Sequence, residues 1–222
     1  MKIATIFFCV NMVSSSLPCT SMAFPASSQT STTELQNDKT TKNEQKVPPI
    51  VYTIAGSDSG GGAGIQADLH AIHNMKCHGC SAITCLTAQN SMGVSSNNGI
   101  YSPPVSFLRE QLDTLTQDLY PRAVKVGMLG TKELAIEVGR FLKELKTKND
   151  NTGQAPYVVV DPVMISTSGS KLISDGAMEA MIEHVFPYAD VLTPNKFEVE
   201  ALLGRTLLTA KDVEEGETHV NR

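Results

Sequence analysis

Five short clusters of glycine and polar residues, each directly after an apolar run, hold most of the side chains able to do chemistry. The first is Gly56-Ser57-Asp58-Ser59-Gly60-Gly61-Gly62-Ala63-Gly64. Glycines allow a ligand close to the backbone and expose amides at a helix start. Their spacing matches neither the dinucleotide fingerprint nor the P-loop, because no Lys-Ser/Thr pair follows at the required place. A flexible turn is the plain alternative, and Ser57, Asp58 and Asp68 weigh against it. Asp68 stands one helical turn beyond Gly64 and can share its side. Its carboxylate can accept hydrogen bonds from an aminopyrimidine-like ring, although the spacing suits a solvated surface acid equally well.

The other clusters add to this set. Gln89, in Gln89-Asn90-Ser91, offers a donor and an acceptor in a fork suited to the edge of a heterocycle. Gly127-Met128 is small and apolar. Asp161, followed by Pro162, supplies a carboxylate able to hold Mg²⁺ through water. Thr193-Pro194-Asn195 with Glu198 puts two oxygen ligands on the opening turn of a helix, and a hard cation prefers such ligands while keeping much of its water. Taken alone, Glu198 is better explained as an acid stabilising a helix N-terminus.

These clusters need elements to position them. Ile50–Ala55 reads as a buried strand that ends in the glycine turn, and Ala63–Lys76 as a helix with Ile65, Leu69, Ile72 and Met75 on one side. Ser81–Thr87 is the second strand. Val105–Leu119 is a helix whose stripe is Phe107, Leu108, Leu112, Leu115 and Leu119. Ala123–Val126 is a strand, Lys132–Lys146 a helix, 148–154 a polar loop and Tyr157–Val160 a strand. Asp175–Val185 is a helix, Asp190–Leu192 a last strand and Phe197–Leu203 another helix. Strands with continuous apolar runs, separated by helices, indicate one α/β domain with a parallel sheet covered on both faces. In such a sheet ligands sit beyond the carboxyl ends of the strands, and all five clusters fall there.

The chain has 222 residues, 41% of them apolar and 18% charged, with a net charge of −5. That balance gives no reason to expect nucleic acid or an anionic membrane as partner, and no apolar run is long enough for a membrane span. Residues 1–48 differ from the rest. Lys2, the apolar run Ile3–Val13 and small residues up to Ser21-Met22-Ala23 have the layout of a signal peptide. The following stretch is rich in hydroxyl and amide side chains and too poor in apolar ones to fold. The junction Met22-Ala23-Phe24-Pro25 is similar to bipartite plastid presequences, with secretion as the alternative. The folded domain is then 49–222. Cys77-His78-Gly79-Cys80 has the form C-x-x-C, but no matching second pair of zinc ligands lies nearby. Buried structural thiols explain Cys77, Cys80 and Cys85 better.

Read in order, several of these segments form a series. Thr53-Ile54-Ala55-Gly56-Ser57-Asp58-Ser59-Gly60 with Gly62-Ala63-Gly64-Ile65-Gln66-Ala67-Asp68-Leu69 resembles the opening signature of the hydroxymethylpyrimidine and phosphomethylpyrimidine kinase family of thiamine biosynthesis. Thr87-Ala88-Gln89-Asn90 with Gly93-Val94 is similar to a second signature and Lys125-Val126-Gly127-Met128-Leu129 to a third. Val160-Asp161-Pro162-Val163-Met164 with Ser166-Thr167-Ser168-Gly169 resembles a fourth, and Leu192-Thr193-Pro194-Asn195 with Glu198 a fifth. The resemblance implies a ribokinase-like three-layer αβα sandwich and transfer of the ATP γ-phosphate to a pyrimidine hydroxymethyl or its monophosphate. It further implies that Gly56, Asp68 and Gln89 hold the pyrimidine, with Met128 and Val163 as pocket wall. Asn195 and Glu198 would serve the nucleotide, and Asp161 and Glu198 the Mg²⁺.

The family's later Lys-Gly-Gly strand and Gly-Thr-Gly-Cys anion hole have no counterpart here. That loop stabilises charge on the transferring phosphoryl group. The expectation is therefore a ring-binding portion without a catalytic loop, marginally stable or self-associating, with a homodimer as one form. Two other readings stay open: a pyridoxal-type kinase, and a non-catalytic pyrimidine-binding protein.

Overall fold

The computed structural model describes residues 47–95, 98–147, 154–164, 173–174, 176–204 and 206. Residues 1–46, which hold most of the expected presequence, most of the 148–154 loop, Ser166-Thr167-Ser168-Gly169 and the polar segment after Leu208 lie outside the described residues.

The elements in chain order are β1 (Ile50–Asp58), α1 (Gly64–Asn74), β2 (His78–Thr87), β3 (Gln89–Asn90), β4 (Gly93–Val94), β5 (Ile100–Tyr101) and α2 (Val105–Thr116). They continue with β6 (Ala123–Val126), α3 (Lys132–Thr147), β7 (Tyr157–Val160), α4 (Ala177–Ala180), β8 (Val191–Leu192) and α5 (Lys196–Leu203). Six strands make the main sheet in the order β5-β2-β1-β6-β7-β8, while β3 and β4 pair as a separate antiparallel ribbon. Within the main sheet only β5 runs antiparallel, to β2. The central sheet is thus mostly parallel with flanking helices, as the alternation of apolar runs and amphipathic segments requires.

Strand alternation divides the core into two layers. Tyr52, Ile54, Val124, Val126, Val158 and Val160 point to one face and pack with Leu108 and Leu112 of α2 and with Leu134, Val138 and Phe141 of α3. Val51, Ala123 and Val159 point to the other face and pack with Ile72 of α1. Thr53 and Lys125 share the parity of this second set, which puts two polar side chains beneath α1.

Several boundaries differ from the sequence reading. β1 continues through Gly56 to Asp58, because pairing with β2 resumes at Ser57–Leu86 after an irregularity in register. β2 begins at His78, since parallel pairing with Ile50 starts there, and so it takes in the second half of C-x-x-C. α2 ends at Thr116, and Phe107 of its expected stripe is half exposed while Leu108 and Leu112 are buried. The segment expected as one helix from Asp175 is a single α-turn, a π-helical turn at Met181–Val185 and a 3₁₀ turn at Phe186–Tyr188.

A backbone contact accompanies that irregular segment. Gly139 of α3 lies so close to the His184 carbonyl that a Cβ on residue 139 would collide with it. The neighbour is main chain and cannot rotate away. Gly139→Ala should therefore lower unfolding free energy by about 1–3 kcal/mol, the usual range for an overpacked core, as read from urea unfolding midpoints.

Burial also gives the fold a pH dependence. Desolvation pushes up the thiols of Cys77, Cys80 and Cys85 and the phenol of Tyr52. The unfolded chain releases these protons from about pH 8.5 for thiols and pH 10 for tyrosine. Above those values the native state binds more protons than the unfolded one, so stability falls as pH rises. Unfolding midpoints should decline between about pH 8.5 and 11 relative to their value at about pH 7.5. An unchanged midpoint across that window would contradict the burial argument.

Candidate functional site

The carboxyl ends of β2, β1 and β6 lie side by side, and the structure brings the ring-side residues together there. Gly56 is buried, and a Cβ on it would stand 2.8 Å from Cys85 Sγ and 3.7 Å from Met128 Sδ. Glycine at 56 therefore lets the Cys85 thiol pack against the β1 backbone, with the Met128 thioether beside it. Thr84 Oγ1 donates to the Met128 carbonyl at 2.7 Å and ties β2 to the end of β6. Cys85 was not among the expected site residues. Its proximity to Gly56 depends on strand pairing, which no local pattern reveals.

Gln89 is half-buried in the β3–β4 ribbon. Its Oε1 accepts from Thr87 Oγ1 at 3.3 Å, and its main-chain carbonyl and N–H bond to Ser59 Oγ at 2.7 and 2.8 Å. The side-chain N–H groups of Gln89 take no partner among the described residues, so this end of the amide is available to a ring. The single Thr87 hydroxyl proton is shared between Gln89 Oε1 and the Ser57 carbonyl, which lies closer at 3.0 Å, and this contact fixes the ribbon against β1.

The glycine turn has an internal occupant. Asp58 accepts from the N–H groups of Gly60 (2.8 Å), Gly62 (3.0 Å) and Ala63 (2.9 Å). A carboxylate facing three converging amides fills the concavity an external anion would use. Gln66 adds a clasp, accepting from Asp58 N–H at 2.9 Å and donating to Ser57 Oγ at 2.7 Å. Gly64 has φ +57°, and a Cβ there would collide with the Gly56 carbonyl. Only glycine fits at 64. The turn is a fixed structure rather than a flexible one.

Asp68 is 4% exposed, which removes the solvated-acid reading. Its Oδ2 accepts from Thr53 Oγ1 at 2.6 Å and from Lys125 Nζ at 3.0 Å, while Oδ1 lies 3.2 Å from the same Nζ. Lys125 was quoted in a motif but given no role by the sequence reading. The available signal was its position: a lone charge in the otherwise apolar strand Ala123-Val124-Lys125-Val126, which must be paired if that strand is central.

On the other side of β6, Asp161 is buried at the end of β7, where its N–H continues the ladder to the Val126 carbonyl at 2.8 Å. Its Oδ2 lies 4.0 Å from Lys125 Nζ. Val163 follows, half-buried, with its N–H on the Asp161 carbonyl at 2.8 Å. Asn195 and Glu198 form a reciprocal capping box on α5. Asn195 Oδ1 accepts from Glu198 N–H at 3.1 Å, and Glu198 Oε2 accepts from Asn195 N–H at 2.8 Å. Glu198 therefore does stabilise a helix start, and at 2% exposure it is also a buried carboxylate beside the β8 end.

Among the described residues no three Asp, Glu, His or Cys side chains converge as a metal cage. Two separate buried carboxylates, Asp161 and Glu198, fit a cation that takes most of its ligands from water and phosphate oxygens, as Mg²⁺ does. Asn195 fits the nucleotide role in one respect: its side-chain N–H groups take no partner among the described residues and remain available to a phosphate oxygen.

Comparisons with known proteins bear on the family and the fold. The family model for phosphomethylpyrimidine kinase matches residues 58–222. A hydroxymethylpyrimidine/phosphomethylpyrimidine kinase of Synechococcus elongatus is 42% identical over 166 residues, covering 75% of this chain and 59% of that protein. The crystal structure of phosphomethylpyrimidine kinase from Clostridium difficile superposes with a TM-score of 0.67 at 37% identity, over 78% of this chain and 70% of that one. Pyridoxal kinase from Staphylococcus aureus, in complex with AMP-PCP and pyridoxal, superposes with a TM-score of 0.63 at 32% identity, over 78% and 58%. The chain spans less than two thirds of the length of the curated relatives it matches. With a matching family model over most of its length and the same mostly parallel α/β fold, the chain belongs to the phosphomethylpyrimidine kinase family.

Proposed function

We propose that this protein transfers the γ-phosphate of ATP to the hydroxymethyl of an aminopyrimidine, or to its monophosphate, in thiamine biosynthesis. One observation carries the reading. Gln89, whose side-chain N–H groups take no partner among the described residues, and Gly56 with the Cys85–Met128 wall stand at the carboxyl ends of adjacent strands, and the buried Asp68 lies next to them against Thr53 and Lys125. A flat ring with polar edges fits that combination, with Val163 extending the wall toward β7. ATP supplies the phosphoryl group, and Mg²⁺ neutralises charge on it when bound. Asn195 and Glu198 are assigned to the nucleotide end, and Asp161 with Glu198 to the cation. No residue of this chain is assigned a bond-making role.

A pyridoxal-type kinase is the second reading, supported by the structural likeness to the Staphylococcus aureus enzyme. Asp68, an acceptor, favours a ring with an exocyclic N–H group over pyridoxal, and the Gln89 N–H groups suit a ring nitrogen. Delivery to a plastid is part of the proposal, supported by the order of residue types in 1–38. A homodimer is supported by exposed Ile100 and Tyr101 on edge strand β5, since open edges invite pairing.

Competition calorimetry with hydroxymethylpyrimidine and pyridoxal tests the ring assignment. Hydroxymethylpyrimidine should bind tighter, and the reverse order would transfer the site to the second reading. Gln89→Leu should weaken pyrimidine binding by about 1–3 kcal/mol, the cost of leaving a partner unsatisfied. Glu198→Gln should alter the Mg²⁺ dependence of nucleotide binding and spare ring affinity. An unchanged Mg²⁺ requirement would leave Glu198 with its capping role alone.

A further inference from the structure

Lys125 has no part in the reading above, yet it is a buried charge with a fixed partner. It is 7% exposed and stands in a central strand directly across from Thr53 on β1 and Val159 on β7. Its ammonium contacts Asp68 at 3.0 and 3.2 Å and lies 4.0 Å from Asp161. A Cβ at Gly127 would come within 2.8 Å of Nζ, so the glycine leaves room for the ammonium. Buried ion pairs contribute little to stability compared with well-packed apolar residues. The neighbours on this face, Val51, Ala123 and Val159, show what an apolar solution looks like. Four polar groups from three strands and a helix are held here instead, at the carboxyl-end side of the sheet.

The lone pairs of Asp68 give the arrangement a direction. A carboxylate oxygen accepts about two hydrogen bonds. Among the described residues Oδ2 takes Thr53 and Lys125, whereas Oδ1 takes only Lys125, at the longer distance. One acceptor position on Oδ1 remains.

We propose that Lys125 is a positioning residue of the ring site, acting through Asp68. Together with Thr53 it fixes the carboxylate so that a single acceptor position is offered, which selects a ring bearing an exocyclic N–H donor over one bearing an acceptor there. The proposal rests on the ring-site reading of the preceding subsection and deepens it.

The test measures affinities of the chain for hydroxymethylpyrimidine with its exocyclic amino group and for the analogue with oxygen in that place. The ratio of the two affinities is the readout, alongside melting temperature. The unaltered protein should prefer the amino compound by about tenfold or more, as expected for one hydrogen bond to a charged acceptor. Lys125→Met should collapse that ratio toward one, as should Asp68→Asn, and the double variant should be no worse than either alone. A purely structural lysine would instead lower melting temperature and weaken both ligands equally, leaving the ratio intact. That result would overturn the proposal. Should Lys125→Met fail to fold, Thr53→Val removes the other donor to Asp68 at nearly constant volume, and an undiminished ratio in that variant overturns the proposal too. If the unaltered protein bound neither compound, the ring-site reading itself would fall and take this one with it. Binding without discrimination would sink the Lys125 role alone.

Discussion

The ammonium of Lys125 lies against the carboxylate of Asp68 under α1, and much of the surrounding structure follows from keeping those two charges together. Either charge alone in that place would carry a heavy desolvation cost. The pair requires Thr53 as a further donor, glycine at 127 to leave space, and α1 set so that its second turn meets the middle of β1 and β6. Those demands reach across β1, α1 and β6, elements far apart in the chain. The opposite face of the sheet carries no such demand and is packed with branched aliphatic residues from α2 and α3. The sheet thus has one face for cohesion and one that mixes packing with polar chemistry.

The fold was largely readable because its strands are apolar on both faces, so continuous runs such as Tyr157–Val160 stand out. What escaped detection depended on pairing between distant segments. The β3–β4 ribbon at Gln89–Val94 has almost no apolar content to announce it, and exists because Gln89 is tied to Ser59 and Thr87. The π-helical turn after Ala180 coincides with close packing of Gly139 on the His184 carbonyl, a contact between residues 45 positions apart by their numbers. Lys125 was visible as an anomaly in its strand, but its partner was not, because Asp68 lies 57 residues away in sequence.

Acidic residues in this domain separate by what their oxygens already hold. Asp58 is consumed by three amides of its own turn, so the glycines near it build the loop rather than recruit an anion. Glu198 divides its service between a helix cap and a buried position beside the β8 end. Asp68 is mostly committed, with one acceptor position left. The sequence reading named Asp68 and Glu198 as ligand candidates and gave Asp58 no ligand role. Their hydrogen-bond partners distinguish scaffold from site, and only the folded chain supplies those partners.

The irregular pairing of β1 with β2 has an evolutionary consequence. Ala55 faces Ile83 and Ser57 faces Leu86, so Thr84 and Cys85 together oppose Gly56, and both are buried. Past that point every β2 side chain has exchanged sides relative to a regular ladder. Thr87, and through it the ribbon bearing Gln89, is aimed by this single surplus residue. A lineage could therefore replace many side chains here and keep the site's layout. Losing one codon at 84 or 85 would restore a tidy ladder while turning Thr87 to the wrong side. At this strand end the chain is constrained in length more tightly than in spelling, and insertions or deletions, rather than substitutions, are where divergence should halt.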